Sequence, residues 1–460
     1  MQKTLLSKAI IVAVLTLLIA IPLTMIQSTI SERMEFHREA LQSIAADSVR
    51  EQAIIGPLLV IPYTDQYEEE LVDTATQKSK IVKRTISKRL VVYPNELNVK
   101  GKIDTDRRYR GIHKALVYSG QYAFTGDFVL PATNAFEQDR PSSTLTIGNA
   151  FIALSIDDVR GIRNIPKIKF GNREIEFQQG TYLTAFKSGL HASLGALEFQ
   201  HPEPVQFSFD LGLDGMEQIH FAPVGKNNQV TLESAWPHPQ FGGRFLPSPK
   251  TRRIDENGFS ATWNISALAT NAQQQLTAFE QTRDAAPVAS GALLERLDCF
   301  SVGFVEPINI YSQADRAIKY GMLFVALTFA AFFLFEILKQ LPVHPVQYVL
   351  VGSALALFFL LVVSLSEHIR FALAYLIASG GCIVLIGFYL SYVLRNWKRG
   401  FGFGCALTAL YGVLYGLLQS ENNALVMGSI LLFGILSSIM IATRKVDWYQ
   451  VGKTNPAAAY

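Results

Sequence analysis

Cysteine is scarce. The chain contains three, Cys299, Cys382 and Cys405, and the last two lie inside apolar runs, where cysteine behaves as a small hydrophobe. That excludes a disulfide framework and a cysteine-based metal pair. Charge is scarce too. Asp, Glu, Lys and Arg make up 17% of residues, against about 25% in ordinary soluble domains, and the formal net charge is only +3. With no basic stripe, no zinc spacing and no alternation of aromatic and basic residues, nucleic acid is not an expected partner. The G-x-S-x-G, P-loop, H-E-x-x-H and EF-hand patterns are also missing. A hydrolase of standard type therefore has no support, and neither a cofactor nor a metal is expected, although a triad dispersed along the chain stays open.

What the sequence does have is long apolar runs. Mean hydropathy is +0.22, and six stretches approach the roughly 20 apolar residues that a spanning helix needs. They are Leu5–Ile26, Tyr320–Leu338, Tyr348–Ser366, Phe371–Leu394, Phe401–Gln419 and Ala424–Ala442. The lipid bilayer is thus the first expected partner. The first run has Lys3 ahead of it and Lys8 near its start, as a signal peptide would. It is long for a signal core, and no A-x-A-like site follows, so an uncleaved signal anchor is the expectation. Removal of that segment would leave five helices. With the N-terminus in the cytoplasm, the short cytoplasmic segments carry Lys3, Lys8, Lys339, Arg395, Lys398, Arg399, Arg444, Lys445 and Lys453, against Arg370 alone in the short outer loops. By the positive-inside rule both termini are cytoplasmic and the large polar domain lies outside.

The expected organisation is residues 1–28 as a transmembrane signal anchor, 29–316 as a periplasmic β-rich domain opened by an amphipathic helix, 317–443 as a five-helix transmembrane block, and 444–460 as a cytoplasmic tail. The fold class is integral membrane α + β, with six spanning helices. Ile30, Met34, Leu41, Ile44 and Val49 recur at helical spacing, so the first helix should continue to about Gln52. From Gly56–Tyr63 onward the pattern turns to β. Strand candidates are Arg89–Tyr93, Arg110–Phe128, Ala150–Ile156, Val205–Leu211, Gln218–Ala222, Gln229–Ser234, Phe259–Ile265 and Ser301–Ile308. Segments such as "QVTLES" alternate apolar and polar residues, as half-buried antiparallel strands do. A mostly antiparallel β-sandwich is expected.

Three places could carry function. "WPHPQFGGRFLP", Trp236–Pro247, brackets His238 with two prolines, so neither a helix nor a central strand fits. It reads as a rigid loop that either presents Trp236, His238, Phe241 and Arg244 to a partner or seals one end of the sandwich with its aromatics. "SLSEHIRF" joins the third and fourth apolar runs through Glu367, His368 and Arg370. At a tight hairpin tip these charges need no burial. Glu367 and Arg370 can pair at i+3, the tip could serve with the "SENN" loop at 420–423 as a joint for the large domain, and His368 could make it pH-sensitive. Glu336 is the deepest acid, a candidate because ionisable residues inside membranes are functional by default. It can instead pair with Lys339 at i+3. Asp157 and Asp158 beside Arg160 read as a surface turn with a local ion pair or, less simply, as a cation site. Gly352, Gly380 and Gly381 mark close helix packing, as do the tyrosines and glycines at 411–416.

Taken in order, "GPLLVIPY", "RYRGIHKALVY", "WPHPQFGGRFLP", "GFSATW", "KYGMLFVALTF", "HPVQYVLVG", "LSEHIRFALAYLIAS", "LYGVLYGLLQSENNALVMGS" and "TRKVDWY" resemble the CreD family of inner-membrane proteins across nearly the whole chain. The resemblance implies a Gram-negative inner membrane, a role in cell-envelope integrity, and association with a two-component envelope regulon, colicin tolerance and the β-lactam response. It implies no biochemical activity and no catalytic residues. Binding of a periplasmic partner or ligand without catalysis is the leading expectation. A transporter or channel built on the helical block, or a periplasmic envelope-modifying enzyme, are the alternatives.

Overall fold

A computed structural model of the chain describes residues 2–72, 79–111, 113–281, 295–304, 306, 310–339, 343–393, 397–419 and 424–444. The "SENN" loop at 420–423 and the basic residues Arg395, Lys445 and Lys453 lie outside them. The chain divides into two compact units, Ala40–Pro307, and Met1–Glu39 together with Ile308–Tyr460. It is an α+β protein: one long N-terminal helix, two mixed β-sheets, then a run of apolar helices.

The strands of the first unit are β1 (Gln52–Val72), β2 (Ser79–Val92), β3 (Glu96–Arg110), β4 (His113–Leu130), β5 (Thr144–Ile147) and β6 (Ala150–Ile156). Next come β7 (Lys167–Phe170), β8 (Arg173–Glu176), β9 (Gln178–Gln179), β10 (Gly189–Gly195), β11 (Glu203–Met216) and β12 (Gln218–Phe221). The last are β13 (Asn227–Ser234), β14 (Pro239–Gly243), β15 (Arg253–Asp255), β16 (Gly258–Ser266) and β17 (Phe300–Phe304). One sheet runs β14-β17-β12-β1-β6-β10-β9, with β2 and β5 also on β1; the other runs β15-β16-β13-β3-β4-β11-β7-β8. Antiparallel pairing dominates as the alternation implies. Among the described residues each sheet nevertheless has one parallel ladder, β1 with β12 and β3 with β13, which makes both mixed.

The alternation is visible in β13, where Val230 and Leu232 are buried and Gln229 and Glu233 are exposed. By contrast β6, "AFIALSI", is buried throughout, as a strand covered on both faces must be. The two inner faces meet through aromatic pairs: Trp263 stacks on Phe300 at 4.7 Å, and Tyr122 meets Phe221 at 5.8 Å. Gly101 makes room for this layer, since a Cβ there would come within 2.7 Å of the Tyr122 ring. A helix the sequence reading did not anticipate, α2 (Ala272–Gln281), packs on this unit. Its Gln273 carbonyl accepts from the Tyr93 hydroxyl at 2.8 Å.

The other unit is helical. The N-terminal helix α1 runs unbroken over Gln2–Asp47, stopping before the expected Gln52 because β1 begins there. The remaining helices are α3 (Ile310–Lys339), α4 (Pro345–Ser366), α5 (Phe371–Val393), α6 (Trp397–Gln419) and α7 (Ala424–Thr443). Five of the apolar helices, α1 and α3 to α6, contain stretches long and apolar enough to cross a membrane; the described apolar part of α7, Val426–Ser437, is shorter. Leu357, Leu361, Leu376, Leu385 and Phe388 are exposed while Leu355, Phe358, Phe359 and Ile386 are buried. Helices apolar on both faces suit a lipid surround. The "HPVQ" start of α4 is a capping box, with His344 and Gln347 bonding reciprocally and Pro345 in the first turn.

Candidate functional site

Glu336 is buried, 5% exposed, on the last turns of α3. The side chain of Lys339, the expected i+3 partner, lies outside the described residues. Lys8 of α1 reaches Oε1 with its Nζ at 2.6 Å, and the Tyr348 hydroxyl of α4 donates to Oε2 at 2.9 Å. An acid that turns inward is served by groups on the neighbouring helices. Both oxygens are satisfied, so the carboxylate is neutralised by a cation whose own side chain is half exposed.

Glu367 follows the same logic. The hairpin between α4 and α5 is the four-residue link 367–370, closed by the His368 and Ile369 amides donating to the Leu365 carbonyl, each at 3.0 Å. Glu367 does not pair with Arg370. Its carboxylate, 12% exposed, faces Arg33 of α1 at 3.7 Å. His368 and Arg370 are exposed. Gly380 and Gly381 face open space, contrary to the packing expected of them, whereas Gly352 lies hard against Ile19 and Phe329.

The 236–247 stretch contains a strand. Pro239–Gly243 forms β14 at the end of its sheet. Proline is tolerated there because it opens an edge strand. Of the four residues proposed to face a partner, two face inward. Trp236 is 9% exposed and donates its indole N–H to the His238 carbonyl at 3.0 Å. Phe241 packs edge-on against Phe259 and Trp263 at 5.7 and 5.5 Å. A large ring in a half-apolar strand gains more from the core than from water. His238 and Arg244 remain exposed.

This ledge is held by charges that the sequence did not connect. Arg107 sits 5.7 Å over the Trp236 ring and bonds Glu306 at 2.7 Å, and Lys114 pairs with the same carboxylate. Burial alone would raise the Glu306 carboxyl, but these two cations outweigh it and hold it below its usual range. Arg244 pairs with Asp298 at 3.1 Å. Asp298 also accepts from the Asn271 amide at 2.9 Å, and such bonds with Arg244 overcome the opposing effect of burial and lower its pKa. Burial pushes the neighbouring Cys299 thiol up to about 12, which removes it from nucleophilic chemistry at neutral pH. The turn at 157–161 is a local ion pair: Arg160 forks onto Asp158 at 2.6 and 2.9 Å. Among the described residues no group of three or more His, Cys, Asp or Glu side chains is arranged to hold a metal ion.

Comparison with known proteins decides the family. The model of "Inner membrane protein CreD" matches residues 4–449. The chain belongs to the CreD family. Inner membrane protein CreD of Escherichia coli strain K12 is 34% identical over 433 residues, covering 94% of this chain and 91% of that protein. Among solved structures, an M1 zinc metallopeptidase from Deinococcus radiodurans aligns with 46% of this chain and 42% of its own length, at 7% identity and a TM-score of 0.19. A superposition that weak carries no argument about fold or chemistry.

Proposed function

We propose that the chain maintains or modulates cell-envelope integrity from the inner membrane by binding a periplasmic protein or ligand, not by catalysis. In this reading α1 and α3 to α7 all span, both termini are cytoplasmic, and the Ala40–Pro307 unit is periplasmic. The lysine and arginine bias supports that orientation, and family membership supports the inner membrane. The observation that carries the binding reading is the ledge at 236–244. Its aromatic roots are buried and its backbone ends a sheet, while His238 and Arg244 stay exposed on a support braced by Arg107, Glu306 and Asp298. Edge strands and braced loops of this kind are common recognition surfaces. Transport through the helical unit is less supported, because its buried acid is already saturated by Lys8 and Tyr348.

The test is photocrosslinking in living cells from an amber-encoded benzophenone at His238 or Gln240, with envelope sensitivity to detergent and β-lactam measured in parallel. One discrete adduct, lost on Arg244→Glu together with envelope protection, is expected. Full protection by a chain carrying both His238→Ala and Arg244→Glu would overturn this assignment of the surface.

A further inference from the structure

We infer that α1 is a fixed member of the helical unit, clamped at both ends by ion pairs to α3 and α4, and not an interchangeable anchor. The inference is independent of which way the chain faces the membrane.

Lys8 and Arg33 lie 25 residues apart on one continuous helix, a rise of about 37 Å. The hydrocarbon layer is about 30 Å thick, so the two cations bracket it. Each meets a carboxylate from the C-terminal helices: Lys8 the buried Glu336 at 2.6 Å, Arg33 the mostly buried Glu367 at 3.7 Å. Glu336 closes α3, Tyr348 opens α4, and Glu367 caps its far end. Hence α1 runs alongside α4 and opposite to α3. Between the clamps Ile19, Leu23, Ile26 and Ile30 are buried, spaced four, three and four residues apart on one helical face. They fit a seat made for them. A Cβ on Gly352 would come within 2.7 Å of Ile19 and 2.8 Å of Phe329, and Gly321 leaves Leu23 at 3.4 Å.

An anchor needs only apolarity and length. This helix has a register, set by two charges and four buried apolar residues that join the core of the C-terminal helices. A buried carboxylate stripped of its cation is costly, whereas removing both charges together is tolerated far better. Lys8 therefore serves as the partner that makes Glu336 affordable, beyond any part in orienting insertion.

The experiment is a double-mutant cycle on the full-length chain in detergent, read as the temperature at which a C-terminal fluorescent fusion loses its monodisperse elution peak. Lys8→Gln, Lys8→Glu and Glu336→Lys are each expected to lower the midpoint by on the order of 5 °C or more, with Glu336→Gln measured as the fourth single of the two cycles. Lys8→Gln with Glu336→Gln, and the swap Lys8→Glu with Glu336→Lys, should recover most of that loss. Doubles that lose the sum of the singles would overturn the clamp. If a swapped chain fails to insert, the same cycle on Arg33→Gln and Glu367→Gln decides, and additivity there overturns it equally. Replacing residues 9–29 by an unrelated spanning helix, with Lys8 and Arg33 kept, should also lower the midpoint; an unchanged midpoint would show that α1 is only an anchor.

Discussion

Gly352 has room for a hydrogen atom and little else, since any side chain would drive into Ile19 and Phe329. Overpacking such a contact is destabilising. Gly352→Leu is expected to lower the thermal midpoint of the full-length protein in detergent by several degrees, while Gly380→Leu, with nothing near its Cβ, leaves it unchanged. Sequence patterning marks Gly352, Gly380 and Gly381 alike, because a small residue permits close approach without stating that a neighbour makes it. Cys299 is a second residue-scale case. Its buried thiol, raised to about 12, should resist iodoacetamide at pH 8 in the folded chain and react fully once denatured, as peptide mass spectrometry would read.

At the scale of elements, the end of α1 depends on a turn more than 100 residues away. Arg160 donates to the Ala46 carbonyl at 2.8 Å and forks onto Asp158. A cation at a helix C-terminus satisfies carbonyls that have no partner within the helix and complements its dipole. The Asp158–Arg160 pair was legible in "SIDDVRGI" because it is local. Its role as the cap of α1 was not, because the approach of the two segments is tertiary. The Arg160 hydrogen bond is the main cause of the lowered Asp158 pKa. The carboxyl is depressed in the folded state, so its contribution is complete above the unfolded value of about 3.9 and fades as pH falls through the lower folded value. Hydrogen exchange of the amides at 44–48 should therefore speed up, relative to the core strand β6, only below about pH 4. In Asp158→Asn those amides should exchange faster at neutral pH and lose that acid-dependent step. No difference between the two proteins at pH 7 would remove Asp158 from the cap.

For the whole molecule, the orientation is the prediction with the widest reach. A C-terminal green fluorescent fusion should be fluorescent, and a cysteine placed at the exposed His238 should react with a membrane-impermeant maleimide once the outer membrane is permeabilised. The native Cys299 stays protected by burial. Labelling that requires lysis of the inner membrane would invert the topology.

The linear chain by itself determined the apolar runs that become α1 and α3 to α7, the alternation that becomes β13 and β16, and the ordered motifs by which the family is recognised. These features arise from side-chain period and local turn chemistry, which need no distant partner. Tertiary structure alone decided the rest. It placed Glu336 with Lys8 and Tyr348, turned Glu367 to Arg33, drew Trp236 and Phe241 inward, and added the parallel ladders β1 with β12 and β3 with β13. The physical reason is common to all of them. A charge or ring buried by packing is stabilised by whatever group approaches it in space, and spacing along the chain does not say which group that is.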